Sequence, residues 1–127
     1  MGKIKVLLTK HMMEAHDRGL KTVLHGLKEN GMEVVYARYW LPEDVVKTAM
    51  EEDVQVIGMS SSAGGHMYGV GEITRELKEK NMDNVLIILG GIIQKKEEPE
   101  LMEMGVSKIF GPGTYIHEIV DHIVKNV

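Results

Sequence analysis

The sequence predicts an α/β domain in which five parallel strands form one sheet covered by helices on both faces, and three observations point there. Five short β-rich runs alternate with five helical patterns along the 127 residues. The central runs are continuously apolar, as strands buried on both faces must be. No repeat, low-complexity stretch or Pro/Ser linker interrupts the alternation. One domain spanning 1–127 is expected, large enough to bury about two thirds of the surface its unfolded chain exposes.

The β-rich runs are Lys3 to Leu8, Glu33 to Tyr36, Val54 to Met59, Val85 to Leu89 and Lys108 to Phe110. Between them, Leu20, Val23, Leu24 and Leu27 recur at helical spacing, and so do Ile116, Ile119, Val120, Ile123, Val124 and Val127; each stripe is expected to face the sheet. Pro42 suits the first turn of a second helix. Gly31 and Gly105 follow helical patterns where a left-handed cap residue is expected. Thr114, with Glu118 four residues on, marks the N-cap region of the last helix. Right-handed crossovers turn this order into a three-layer, doubly wound fold, most simply with the flavodoxin-like strand order 2-1-3-4-5.

Composition removes several classes of function. The chain has no cysteine, which excludes disulfides, thiolate metal sites and cysteine nucleophiles and is compatible with a reducing cytoplasm. A net charge of −4 with acids and bases mixed throughout leaves no basic stripe for nucleic acid. No signal-peptide pattern and no apolar run of membrane-spanning length is present, so no membrane association is expected. Ten methionines against one Phe and one Trp suggest a core filled by flexible aliphatic side chains, with Met12, Met13 and Met67 in candidate ligand loops.

In a doubly wound sheet ligands bind at the carboxyl ends of the strands, and those loops carry the unusual residues. Lys10, Glu14, His16 and Gly19 form K-x-x-x-E-x-H-x-x-G after the first strand. A carboxylate two residues before a histidine can accept the hydrogen bond of one ring nitrogen and aim the other at a metal. Lys10, at the strand end, can pair with Glu14 and hold it ionised. Glycines recur in Ser60-Ser61-Ser62-Ala63-Gly64-Gly65, in Gly90-Gly91 and in Gly111-Pro112-Gly113-Thr114; they remove side chains where a bulky ligand could approach the backbone. Ordinary tight turns have the same composition. No G-x-G-x-x-G follows the first strand and no G-K-[ST] occurs, so nucleotide hydrolysis is unsupported. His11, Glu14, His16 and His66 are donor types that zinc or iron also take. His25, His117 and His122 read as helix-surface residues without a role.

Taken together, K-x-x-x-E-x-H-D-R-G, D-V-x-V-I-G-x-S-S-S-A-G-G-H, L-G-G-I-I and I-F-G-P-G-T resemble the cobalamin-binding domain of the methylmalonyl-CoA mutase family over essentially the whole chain. The length is similar to that of the free-standing small subunit of two-subunit acyl-CoA mutases. The resemblance implies that adenosylcobalamin binds with its benzimidazole base detached, His16 serving as lower cobalt ligand and the nucleotide tail inserted beside the sheet. It implies that Lys10 and Glu14 tune His16, that Asp17, Arg18 and Gly19 complete that motif, and that Ser60, Ser62, Gly64, Gly65, His66, Gly90, Gly91, Gly111, Gly113 and Thr114 contact the cofactor. A large catalytic mutase subunit with a barrel fold is the implied partner, and no catalytic residue is assigned to this chain, which alone is expected to be inactive.

Three positions depart from the family pattern. Glu14 stands for the usual aspartate, and its extra methylene moves the carboxylate by about one bond length. Ser62 stands for a leucine and Gln94 for a proline. Methylmalonyl-CoA, isobutyryl-CoA and 2-hydroxyisobutyryl-CoA are equally open as substrates. Two other readings share the fold. A corrinoid carrier for methyl transfer usually has a helical bundle ahead of this domain, whereas strand 1 is expected from residue 3. A receiver-like signalling module needs an aspartate after strand 3, where Met59 and Ser60 stand.

Overall fold

The computed structural model describes residues 3–13, 18–61 and 66–127, and for Arg18 and His66 the backbone alone. The described elements are β1 (Lys5–His11), α1 (Arg18–Glu29), β2 (Glu33–Tyr39), α2 (Pro42–Glu52), β3 (Val56–Ser61), α3 (His66–Glu79), β4 (Leu86–Gly91), α4 (Glu98–Met104), β5 (Lys108–Phe110) and α5 (Ile116–Asn126). All four strand pairings are parallel, in the order β2-β1-β3-β4-β5. The predicted doubly wound architecture is therefore the one observed.

The strands alternate their side chains between two helical layers. Leu7, Ile57, Met59, Ile87 and Leu89 face one layer, where Val45, Val46 and Ala49 of α2, Val70, Ile73 and Leu77 of α3 and Leu101 of α4 close the larger core. Val6, Leu8, Val56, Ile88 and Phe110 face the other, against Leu20 and Leu27 of α1 and Ile119 and Ile123 of α5. The α1 stripe packs as its spacing predicts. The α5 stripe is narrower than predicted: Val124 and Val127 are exposed. Val124 lies a helical step off the face shared by Ile116, Ile119 and Ile123, and Val127 follows the last turn.

Four of the five strands begin or end away from their predicted limits, in a consistent direction. All four run further toward their carboxyl ends: β1 continues through Thr9, Lys10 and His11, β2 through Ala37, Arg38 and Tyr39, β3 through Ser60 and Ser61, and β4 through Gly90 and Gly91. Apart from Thr9 and Tyr39, these residues have weak strand propensity, but each has a ladder partner; Thr9, Lys10 and His11 pair with Ala37, Arg38 and Tyr39 of β2. Tertiary pairing overrides propensity here. Helix ends follow the sequence more closely. Pro42 is the first residue of α2, and Gly31 and Gly105 both have positive φ, at 85° and 126°. The N-cap of α5 is Tyr115 rather than Thr114: the Tyr115 N–H donates to the Glu118 carboxylate at 3.0 Å.

His122 departs from its surface reading. It is half-buried on α5, with Nε2 2.7 Å from the Ser107 hydroxyl and its ring edge-on to Phe110 at 5.9 Å. Burial, reinforced by the positive charge of Lys108, pushes its pKa below the ordinary 6.5. The fold thus favours neutral His122. Its contribution to stability is complete above about pH 6.5 and is lost as pH falls through the lowered folded value. Urea unfolding midpoints should therefore fall from pH 7 to pH 5, and His122→Gln, which keeps a partner for Ser107 without a titrating ring, should show a shallower decline; parallel declines would contradict this.

Candidate functional site

Strand register brings the predicted residues into line. Lys10 pairs with Arg38 on one side and Ser60 on the other, Ser60 pairs with Gly90, and Gly90 with Phe110, so a single row crosses the carboxyl end of the sheet. By strand alternation the side chains of this row point toward α1 and α5. One residue pair earlier in the strands, the same face carries Leu8, Gly58 and Ile88.

That face is depleted of side-chain volume. Gly90 has none and Ser60 has little, while Leu8 leans over Gly58, where an added Cβ would lie 2.7 Å from Leu8 Cδ2, so the sheet leaves space beneath α1 and α5 only toward its carboxyl edge. The result is a cavity of about 700 Å³ open at the carboxyl edge, a size that suits a drug-sized ligand. Leu8, Gly58, Met59, Ile88 and Leu89 line its sheet side, Leu20, Thr22 and Val23 its α1 side, and Phe110, Ile116 and Ile119 its far wall. The wall is largely apolar, with Ser60, Thr22, Thr114 and the backbone of the glycine loops as its polar groups.

Two glycines have geometric reasons of their own. Gly91 has φ 118°, and a Cβ there would lie 1.9 Å from the carbonyl oxygen of Ser61, so β4 can cross beside β3 only with glycine. Gly26 lets α1 approach α5, since a Cβ would lie 2.6 Å from Ile116 Cγ2. The Gly111-to-Thr114 turn is closed by Thr114 itself, whose hydroxyl donates to the Gly111 carbonyl at 2.7 Å. The turn holds the start of α5 at the cavity mouth, flanked by the exposed side chains of Ile92 and Tyr115.

Of the residues singled out from sequence, Gly19, Ser60, Gly90, Gly91, Gly111, Gly113 and Thr114 line this cavity. Lys10 belongs to the same row but not to the wall; it is 2% exposed, and among the described residues no buried side-chain polar atom lacks a partner. Glu14, His16, Asp17, Ser62, Gly64 and Gly65 lie outside the described residues, as do the side chains of Arg18 and His66. His11 points to the opposite face of the sheet from Lys10. Its Nδ1 accepts the Met13 N–H at 3.0 Å, and its ring meets Tyr39 and Trp40 edge-on. Burial pushes the Tyr39 hydroxyl pKa above its usual value. Among the described residues no three His, Asp or Glu side chains gather to hold a bare metal ion. Gly58 and the apolar wall were missed from sequence. A glycine interrupting the apolar run Val56-Ile57-Gly58-Met59 was the available signal for a close approach on one face.

A family description reading "B12 binding domain" matches residues 4–121. The chain belongs to that family of cobalamin-binding domains. It is 42% identical over 120 residues to the pivalyl-CoA mutase small subunit of Xanthobacter autotrophicus, covering 93% of this chain and 80% of that one. It is 36% identical to the methylmalonyl-CoA mutase of Cereibacter sphaeroides, covering 94% of this chain but 17% of that much longer one. In three dimensions it is similar to a cobalamin-binding protein from Desulfitobacterium hafniense, with a TM-score of 0.80 at 18% identity, over 98% of this chain and 59% of the other. At that identity the likeness speaks for the fold.

Gly91→Ala is expected to lower stability by roughly 2 kcal/mol or more, because both the left-handed backbone and the Ser61 carbonyl oppose a side chain. Gly111→Ala, where an added Cβ meets nothing within 4 Å, should be close to neutral. Urea unfolding of the two variants checks this, and equal midpoints would contradict the close approach.

Proposed function

We propose that this chain is the cobalamin-binding small subunit of an adenosylcobalamin-dependent acyl-CoA mutase, acting in the cytoplasm with a large catalytic subunit of barrel fold. The observation that carries the reading is the cavity beside the sheet. Its glycine floor leaves room that a bare ion would not require, and its mixed lining suits a ligand with an aromatic base at one end and a phosphorylated sugar at the other. Leu8, Ile88, Phe110 and Ile119 would hold the base of the detached nucleotide tail. Ser60, Thr114 and the backbone N–H groups of the Gly111-to-Thr114 turn, at the start of α5, would hold its polar end.

His16 lies three residues before Gly19, which lines the cavity mouth. We assign it the role of lower cobalt ligand, oriented by the Glu14 carboxylate. Lys10, buried at the end of β1, would keep that carboxylate ionised and so draw the imidazole proton toward Glu14, leaving the other ring nitrogen free for the metal. When bound, the cofactor supplies the radical chemistry by which a hydrogen and a neighbouring carbon group exchange places. The chain's own work is to hold the tail, fix the ligating imidazole and present the cofactor's other face to the partner. The acyl-CoA would be bound by that partner, so the substrate is assigned only as a class.

Cobalamin added to the purified protein should change from its base-on to its base-off absorption spectrum. With heavy-nitrogen histidine incorporated, the Co(II) electron paramagnetic resonance spectrum should show axial-nitrogen splitting altered by the label, and His16→Ala should abolish that alteration. A base-on spectrum retained at saturating protein would refute the reading; label-sensitive splitting that survives His16→Ala would move the ligand to another histidine.

A further inference from the structure

Beside the cavity, on the β1–β2 side of the same sheet edge, large apolar side chains stand in water. Met13 is 73% exposed, Trp40 57%, Leu41 52% and Tyr68 70%. They rest on a fixed base. The His11 ring centroid lies 5.7 Å from that of Trp40 and 5.4 Å from that of Tyr39. Arg38 donates to the Met12 carbonyl at 2.7 Å, and the Tyr39 hydroxyl lies against Gly69, next to Tyr68.

Leu41 is the most telling member. It is the N-cap of α2 and makes no side-chain cap hydrogen bond, in a position where Ser, Thr, Asp or Asn would stabilise the helix. A leucine half exposed at that position gives the helix less than a capping side chain would, and large apolar side chains gathered in water on one edge mark an interaction surface. We propose that Met13, Trp40, Leu41 and Tyr68 form the docking face for the large catalytic subunit; this rests on the function proposed above. The patch is continuous with the edge on which the cofactor would lie, so the protein that shields the cofactor's free face from water must descend onto it. Glu43 and Asp44, in the first turn of α2, give the patch an acidic flank. The partner therefore presents an apolar surface with basic residues at its rim.

The test titrates the purified large subunit, identified by its co-purification with the tagged wild-type chain, against cobalamin-loaded wild type, Trp40→Ala and Leu41→Ser. Each substitution should weaken association about tenfold or more and leave the cobalamin spectrum unchanged. Leu41→Ser should also raise the thermal midpoint, because it supplies the missing cap, so weaker docking cannot be ascribed to misfolding. Unchanged affinity of both variants, in protein that still takes up cobalamin, overturns the docking face and leaves the proposed function standing. Self-association of the wild type that both substitutions abolish, with large-subunit affinity intact, overturns it in favour of a second copy. Failure of the wild type to take up cobalamin overturns the proposed function instead.

Discussion

The architecture depends on an asymmetry between the two faces of one sheet. Side chains alternate along a strand, so each strand must satisfy two environments at once. Toward α2, α3 and α4 it offers Leu7, Ile57, Met59 and Leu89 and builds a filled core. Toward α1 and α5 it offers Leu8 and Ile88, with Leu8 leaning over Gly58, and then, at the carboxyl ends, Ser60 and Gly90, which fill almost nothing. The cavity is the consequence of that alternation of large and absent side chains, and Ser60, Gly90 and Gly91 are placed on its rim by it.

Such a hollow has an energetic cost. Protein interiors pack at near-crystalline density, and lining atoms without neighbours lose dispersion contacts. The filled core on the opposite face compensates: Leu7, Val46, Ile57, Ile73, Leu89 and Leu101 are all fully buried there. A ligand that occupies the hollow restores the missing contacts and stabilises the folded state by mass action. Gly91 serves the same design at the rim, where only an absent side chain lets β4 pass the Ser61 carbonyl.

Much of this was legible in the sequence, and the gaps have physical reasons. The strand order follows from alternating apolar runs and the handedness of crossovers, and the glycine loops announced themselves as a ligand edge. The strand ends did not. Lys10-His11, Ser60-Ser61 and Gly90-Gly91 read as loops because their strand propensities are poor, yet neighbouring strands supply their hydrogen-bond partners. Gly58 was hidden inside an apolar run, and Phe110, Ile116 and Ile119 looked like ordinary core because they do pack on Leu8 and Ile88; only Ser60 and Gly90, further along the strands, leave space beside them. Thr114 was read as a helix cap, whereas its hydroxyl closes the preceding turn. The exposed Trp40 and Leu41 broke no periodicity strongly enough to be noticed; only their accessibility reveals them.

The central claim is that the glycine-floored cavity receives the nucleotide tail of cobalamin. The most direct measurement compares backbone amide NMR shifts of the protein on adding cobalamin and on adding cobinamide, the same corrin without the nucleotide. The account predicts that cobalamin shifts the amides of Gly58, Gly90, Gly91 and the Gly111-to-Thr114 turn, while cobinamide leaves them near their free positions. Equal shifts with both corrinoids, or none at these residues with cobalamin, would contradict it.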